Sequence, residues 1–380
     1  MMLQIDSLTL REIRLPLKEP FAISSGTVKD RRIFLLQLRD ASGLTAWSEC
    51  VAGEEPNYTA ETVETAWLAL REWIAPRVLG CRFNHPREIF PLLEQNFRGH
   101  LMAKAAFEMG AWELAAQLEG VPLSRMLGGT RSHIPAGVSL GIQKNPERLV
   151  ELAHAARARG YRKIKIKIKP GADVEFVAAV RAALGPEAPL MVDANNAYSL
   201  ADLERLVKLD AFNLIMLEQP LAWDDIVRHA ALQKRLRTPI CLDESITGLA
   251  QAEDMVTLGS GRIINIKPGR VGGFSAALAI HDFCAKNGVP VWCGGMLESG
   301  VGRAYNVALA SLPNFVLPGD LSPSDRYWER DIVTPEWTMS VDGMVSVPLE
   351  KPGMGVTVNL DRVDDLTVRC ERVERRTTLV

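Results

Sequence analysis

Three acidic residues and a lysine recur along this chain at a step of one strand plus one helix. That spacing restricts the fold more than any other feature. Asp193, Glu218 and Asp243 lie 25 and 25 residues apart, and Lys267 follows 24 residues later. Each ends an apolar run: Leu190-Met-Val-Asp, Leu214-Ile-Met-Leu-Glu, Ile240-Cys-Leu-Asp and Ile263-Ile-Asn-Ile-Lys. Similar runs start at Ala136, Lys163, Val289 and Phe315, with helical patterns such as Val174/Val177/Val180/Leu184 between them. Eight βα units in series predict an α/β fold with a parallel sheet, and a closed barrel uses eight strands. A doubly wound open sheet is the rival. It usually has fewer strands and a glycine-rich first turn, absent from this chain. In a barrel, residues at the C-terminal strand ends gather at the mouth, where active sites are built.

The flanks have another rhythm. Residues 1–60 alternate like antiparallel strands, with Asp40-Ala41-Ser42-Gly43 as a hairpin turn. Met102, Ala105, Ala106, Met109, Trp112 and Ala116 then fall at helical spacing, and Gly128-Gly129 closes that stretch. After residue 330 strand patterns return, with a turn at Asp342-Gly343. The expected organisation is an α+β cap from residues 1–130, a barrel over 131–325 and a C-terminal segment, 326–380, that completes the cap.

The polar residues suggest a chemistry. Acids at strand ends can simply cap the next helix. Three in register, followed by a lysine, instead predict a shared cation, because converging carboxylates repel. Oxygen-only donors suit a hard ion, Mg²⁺ by default with Mn²⁺ as a substitute. Lys163, Lys165, Lys167 and Lys169 alternate with Ile164, Ile166 and Ile168, so period 2 sets the lysines on one face and the isoleucines on the other. Inward lysines beside buried acids, with Lys267 on another strand, form a layout for moving a proton α to a carboxylate. A lysine base must fall from ~10.4 toward ~7–8, roughly 4 kcal/mol, and burial, a neighbouring lysine and a cation all act in that direction.

Composition excludes several alternatives. The 380 residues are 47% apolar and 24% charged, a globular make-up. The net charge of 44 − 46 = −2 provides no basic excess for a nucleic-acid backbone. No apolar run is long enough to span a bilayer, and no leader pattern is visible at the start. The six cysteines form no Cys-x-x-Cys, so free thiols in a reducing cytoplasm are expected.

With Lys165-Ile-Lys167, Asp193, Glu218, Asp243 and Lys267 in that order, the chain resembles the enolase superfamily, in its muconate-lactonising subgroup. Four lysines leave two frames open. Pro170-Gly171 and the 26-residue step from Lys167 to Asp193 match the family pattern. The resemblance implies Lys167 and Lys267 as the proton-transferring pair, Lys165 as a contact to the substrate carboxylate, and Asp193, Glu218 and Asp243 as Mg²⁺ ligands. The histidine-dependent mandelate racemase branch is disfavoured, because all six histidines miss the strand ends.

Finer similarity is to o-succinylbenzoate synthases that also racemise N-succinylamino acids. It rests on segments such as Gly137-Val-Ser-Leu-Gly, Cys241-Leu-Asp-Glu244-Ser and Gly294-Gly-Met-Leu-Glu-Ser-Gly-Val-Gly-Arg303. It implies a small carboxylate substrate, a homo-oligomer and a place in menaquinone synthesis. Phe21, Tyr58, Ser139, Asn195, Gly295 and Met296 are expected to touch substrate, with Arg270 and Glu244 behind them. Muconate cycloisomerase shares the lysines. A dipeptide epimerase would carry Asp-x-Asp where this chain has Asp320-Leu321-Ser322. A barrel kept only for binding would have no reason to retain every acid and both lysines.

Overall fold

The computed structural model describes residues 2–23 and 26–375. Ser24 and Ser25, three and four residues after Phe21, lie outside them.

Two long strands, β1 (Leu3–Ile23) and β2 (Gly26–Asp40), form the hairpin that dominates the cap. They pair antiparallel with Leu8 opposite Leu38 and Ile13 opposite Ile33. The Asp40 turn forms as expected: Asp40 N–H donates to Leu44 O (3.0 Å), Gly43 N–H donates to Asp40 O (3.1 Å), and Gly43 takes φ +93°. β3 (Thr45–Cys50) continues the sheet. On the other edge of β1 lies the late strand Thr367–Glu374, with Leu8 opposite Val373. The remainder of the C-terminal segment follows another route, since Met344–Ser346 pairs with His133–Pro135 beside the barrel.

Both faces of the hairpin are buried. Phe34, Leu36 and Leu38 enter a core confined to the cap. Ile13, Leu15, Ile33 and Leu35 face the other way and share one apolar cluster with the barrel, including Ile164, Ile166 and Leu242. This explains why β2 reads Ile33-Phe-Leu-Leu without polar interruption.

The barrel strands follow in parallel order: β4 (Gly137–Leu140), β5 (Lys163–Lys167), β6 (Leu190–Asp193), β7 (Leu217–Glu218), β8 (Ile240–Leu242), β9 (Ile263–Ile266) and β10 (Val291–Cys293). The eighth run, Phe315–Asp320, is not a strand. Pro318 has no N–H to donate to a ladder, and the chain closes the ring through a parallel bridge between Gly319 and Ala136. Gly137 N–H donates to Gly319 O (2.6 Å), and Asp320 N–H donates to Cys293 O (2.9 Å). Lys169 also departs from expectation. It lies beyond the end of β5 and is exposed, whereas Lys163, Lys165 and Lys167 are buried inside the ring.

Cap and barrel are joined by carboxylates at helix N-termini. Glu108 sits on α1 (Leu101–Glu119), a helix buried on every side. Its oxygens accept from the backbone N–H of Phe274 (2.7 Å) and Ser275 (3.0 Å), which open α2 (Phe274–Lys286) on the barrel. Glu49 of β3 likewise accepts from Ser299 N–H (3.1 Å) and Gly302 N–H (3.0 Å) at the start of α3 (Gly300–Ala310). These contacts satisfy amides that a helix end leaves unpaired.

Burial pushes Glu108 up from 4.5 to about 7. Its folded value lies above its unfolded one, so its stabilising contribution is full below pH 4.5 and is lost as pH rises through 7. Glu108→Gln should flatten that part of the stability–pH curve. Glu108→Ala should lower stability by roughly 2–4 kcal/mol. Urea denaturation across pH 4–8 checks both, and an unchanged slope in the Gln variant would contradict the assignment.

Candidate active site

Strand register sets the acids at one height. Lys167 of β5 is the partner of Asp193 on β6, which is the partner of Glu218 on β7. Asp243 directly follows β8, and Lys267 directly follows β9. Every one of these side chains is at least nine-tenths buried.

Each acid is engaged by a cationic side chain. Lys165 Nζ lies 2.9 Å from Asp193 Oδ2, 2.8 Å from Glu218 Oε2 and 3.0 Å from Asp320 Oδ2. Lys167 Nζ donates to Asp193 Oδ2 (2.6 Å) and to Asn195 Oδ1 (2.7 Å). Lys267 Nζ donates to Asp243 Oδ2 (2.7 Å) and to the Tyr58 hydroxyl oxygen (3.0 Å). Arg270, one turn beyond Lys267, ion-pairs with the other Asp243 oxygen and donates to Ile246 O (2.8 Å) and Asn265 O (2.6 Å). As placed, no three acidic, histidine or cysteine side chains among the described residues form a ready metal cluster.

The lysines differ in character. Burial drives Lys167 below the ordinary ammonium range, and the pull of Asp193 only partly offsets it. Lys165 is equally buried, yet Asp193, Asp320 and Glu218 together hold it well above that range. Lys267 also lies above it: burial opposes its charge, but the Tyr58 oxygen, Glu244 and Glu218 outweigh burial.

A cavity of about 420 Å³ opens above this layer, lined by Lys167, Lys267, Asn195, Tyr58, Phe21, Gly295 and Met296. Ser139 and Lys165, expected to meet substrate, are not on its wall. They are cross-strand partners deeper in the ring, where Ser139 Oγ is buried without a hydrogen-bond partner. Glu244 Oε1 accepts from the side-chain amides of Asn195 (3.1 Å) and Asn196 (3.2 Å). Gly294 is needed for close approach: a Cβ there would sit 2.6 Å from Lys267 Cε and 2.5 Å from the Asn265 amide.

Several residues of this layer were not legible in the sequence. Asp320 joins Lys163 (3.3 Å) and Lys165, and Lys163 Nζ lies 3.5 Å from the Trp292 ring centroid. The sequence signal for Asp320 is its place at the end of the eighth apolar run. Asn265 donates to Glu218 Oε1 (2.8 Å). Gln219 accepts from Asp243 N–H (3.0 Å) and donates to Ser245 Oγ (2.7 Å), tying one strand end to the next.

Comparison with known proteins agrees with this arrangement. Residues 5–128 match the N-terminal domain family of mandelate racemase and muconate-lactonizing enzyme, and residues 148–363 match the enolase C-terminal domain-like family. The chain belongs to the enolase superfamily. Within it, the muconate-lactonising subgroup fits the lysines on β5 and at the end of β9. An o-succinylbenzoate synthase of Geobacillus kaustophilus is 48% identical over 100% of both chains. An N-succinylamino acid racemase of Thermus thermophilus is 46% identical over 96% of this chain and 98% of its own. A crystal structure of an enolase-superfamily member from Listeria innocua superposes with a TM-score of 0.94 at 41% identity, covering 98% of this chain and 99% of the other. As a superfamily member with such relatives, the chain is an enzyme. No helix among the described residues is long and apolar enough to cross a membrane.

Removing Asp320 leaves two buried ammonium groups short of a counter-charge. Asp320→Asn should cost about 3–5 kcal/mol, measured as a fall in denaturation midpoint. Adding Lys163→Met should recover part of that loss, and additive effects of the two changes would contradict the pairing.

Proposed function

We propose that this enzyme removes the proton α to a carboxylate and acts as an o-succinylbenzoate synthase, with racemisation of N-succinylamino acids as a second activity of the same site. One observation carries the reading: Lys167 and Lys267, from well-separated barrel strands, line a single cavity. The names of the 48% and 46% identical relatives support the two activities.

Asp193, Glu218 and Asp243 fit a Mg²⁺ ion, or Mn²⁺ in its place, by donor type and by height in the barrel. Lys165 already sets a cation between Asp193 and Glu218, and Glu218 Oε2 accepts no aligned hydrogen bond. A bound ion would stabilise the negative charge that grows on the substrate carboxylate as the proton leaves.

This chain's side chains do the rest. Asn195 and Asp193 aim the Lys167 amine, and Tyr58 and Asp243 aim Lys267. In racemisation one lysine takes the α-proton and the other returns a proton to the opposite face. Lys267 takes a proton only as the free amine, a form that a bound cation and the adjacent Arg270 would favour over the ammonium. In dehydration Lys167 takes the α-proton, and the β-hydroxyl leaves as water carrying that proton. The Lys267 ammonium then sits beside the developing charge. Phe21 and Tyr58 cover the cavity from the cap, where they exclude water and select the substrate. Asp320 is committed to Lys163 and Lys165. That leaves it unavailable to a substrate ammonium and favours an acylated nitrogen over a dipeptide amine.

Chelation by EDTA should abolish turnover of both substrates, and Mg²⁺ should restore it. Glu218→Gln should remain folded by circular dichroism yet lose activity. Full turnover by metal-free protein would refute the ligand assignment.

Lys167→Ala should reduce both reactions by at least ~10²–10⁴-fold. Lys267→Ala should stop racemisation in both directions and slow dehydration by ~10²–10³-fold. In D₂O each single variant should still exchange the α-proton of the one enantiomer that faces its remaining lysine, followed by NMR. Exchange of both enantiomers by one variant would overturn the two-face scheme.

A further inference from the structure

Three consecutive residues of the cavity wall belong to neither helix nor strand. Gly295, Met296 and Leu297 follow β10 and precede α3, and all three line the cavity. Leu297 takes φ +57°, a left-handed conformation that a leucine keeps only where its surroundings hold it. Met296 packs against the core confined to the cap, and Leu297 against the cluster that cap and barrel share. Without an anchor, ordering this segment would cost entropy each time a ligand binds.

Glu298 is placed to be that anchor. It is buried and does not itself line the cavity. Its Oε1 accepts from Met296 N–H (2.8 Å) and from the Asn306 side-chain amide (2.7 Å). Its Oε2 lies 3.5 Å from Arg303 Nη2. Arg31 of the cap adds positive charge from farther away. Asn306 and Arg303 both belong to α3. One carboxylate therefore ties an amide of the cavity wall to a helix of the barrel.

That helix is a firm base. Every residue of α3 is buried, and Glu49 of the cap holds its first amides. Arg303 Nη1 also donates to Asp320 O (2.8 Å), at the end of the eighth run. Glu49 and Glu298 grip the same turn: a Cβ on Gly302 would lie 2.7 Å from Glu298 Cβ and 3.0 Å from Glu49 Oε2.

We infer that Glu298 is a positioning residue, which through Met296 N–H fixes the wall Gly295–Leu297 against which the substrate binds. The inference rests on the function proposed above, in that the cavity is taken as the substrate site. The bonds of Glu298 go to neither proton-transferring lysine, and Asn195 and Tyr58 aim those lysines independently. Its loss should weaken substrate binding and leave proton transfer nearly intact.

Steady-state racemisation of N-succinyl-L-phenylalanine in Mg²⁺ tests the split. Glu298→Ala should raise KM roughly 10- to 100-fold and change kcat by less than about threefold. Glu298→Gln keeps an oxygen for both donors and should hold KM within about threefold of wild type, whatever its effect on stability. Hydrogen exchange read by mass spectrometry on ligand-free protein should quicken over residues 294–299 in the Ala variant and not in the Gln variant. Unchanged KM in a folded Ala variant overturns the inference, as does a loss confined to kcat or a Gln variant as impaired as Ala. If Glu298→Ala fails to fold, Asn306→Ala decides. It lies off the cavity wall, so a higher KM with faster exchange over 294–299 supports the inference, and no change in either refutes it. Absence of turnover in the wild type would refute the proposed function, and the exchange data would then decide the positioning role alone.

Discussion

The ammonium of Lys165 lies among three carboxylates, those of Asp193, Glu218 and Asp320, and all four side chains are buried inside the ring. Five cationic groups (Lys163, Lys165, Lys167, Lys267 and Arg270) balance five acids (Asp193, Glu218, Asp243, Glu244 and Asp320) in this layer. Unpaired, each would cost several kcal/mol to bury. The strands must therefore hold a common register, because a slip of one residue would turn the lysines of β5 outward and Ile164, Ile166 and Ile168 inward.

The cap depends on the same economy of partners. Glu108 and Glu49 leave the cap to satisfy helix ends that belong to the barrel. The apolar cluster shared by Ile33 and Leu35 with the barrel strands adds non-directional attachment, while the carboxylates fix orientation. Tyr58 transmits that orientation into the site, since its hydroxyl reaches both Lys267 and Asp243.

How much of this is written in the primary structure varies by region. The height of Asp193, Glu218 and Asp243 was readable, because strand-plus-helix spacing is a local property repeated three times. The burial of three lysines on β5 followed from period 2, but the exposure of Lys169 depended on where the strand stops. Val316 and Leu317 make the eighth run read as a strand, and Pro318, which has no N–H for a ladder, interrupts it. The roles of Gln219 and Asn265 are not legible, since each acts on a residue far away in sequence, whereas Asp320 is marked by its place at the end of the eighth run.

The pairing of Leu8 with Val373 joins the two ends of the chain in one sheet, with the barrel made between them. During synthesis residues 7–13 of β1 have no partner on their outer edge until the strand Thr367–Glu374 is translated, although Leu3 and Gln4 can already pair with Phe83 and Arg82. At about 5–20 residues per second that delay is tens of seconds. Through that interval a newly made chain exposes an unpaired edge able to add a strand from another molecule. Arg11, Glu12 and Arg14 on that strand put charge along the edge, a composition that discourages such pairing while the chain waits for its own C-terminus.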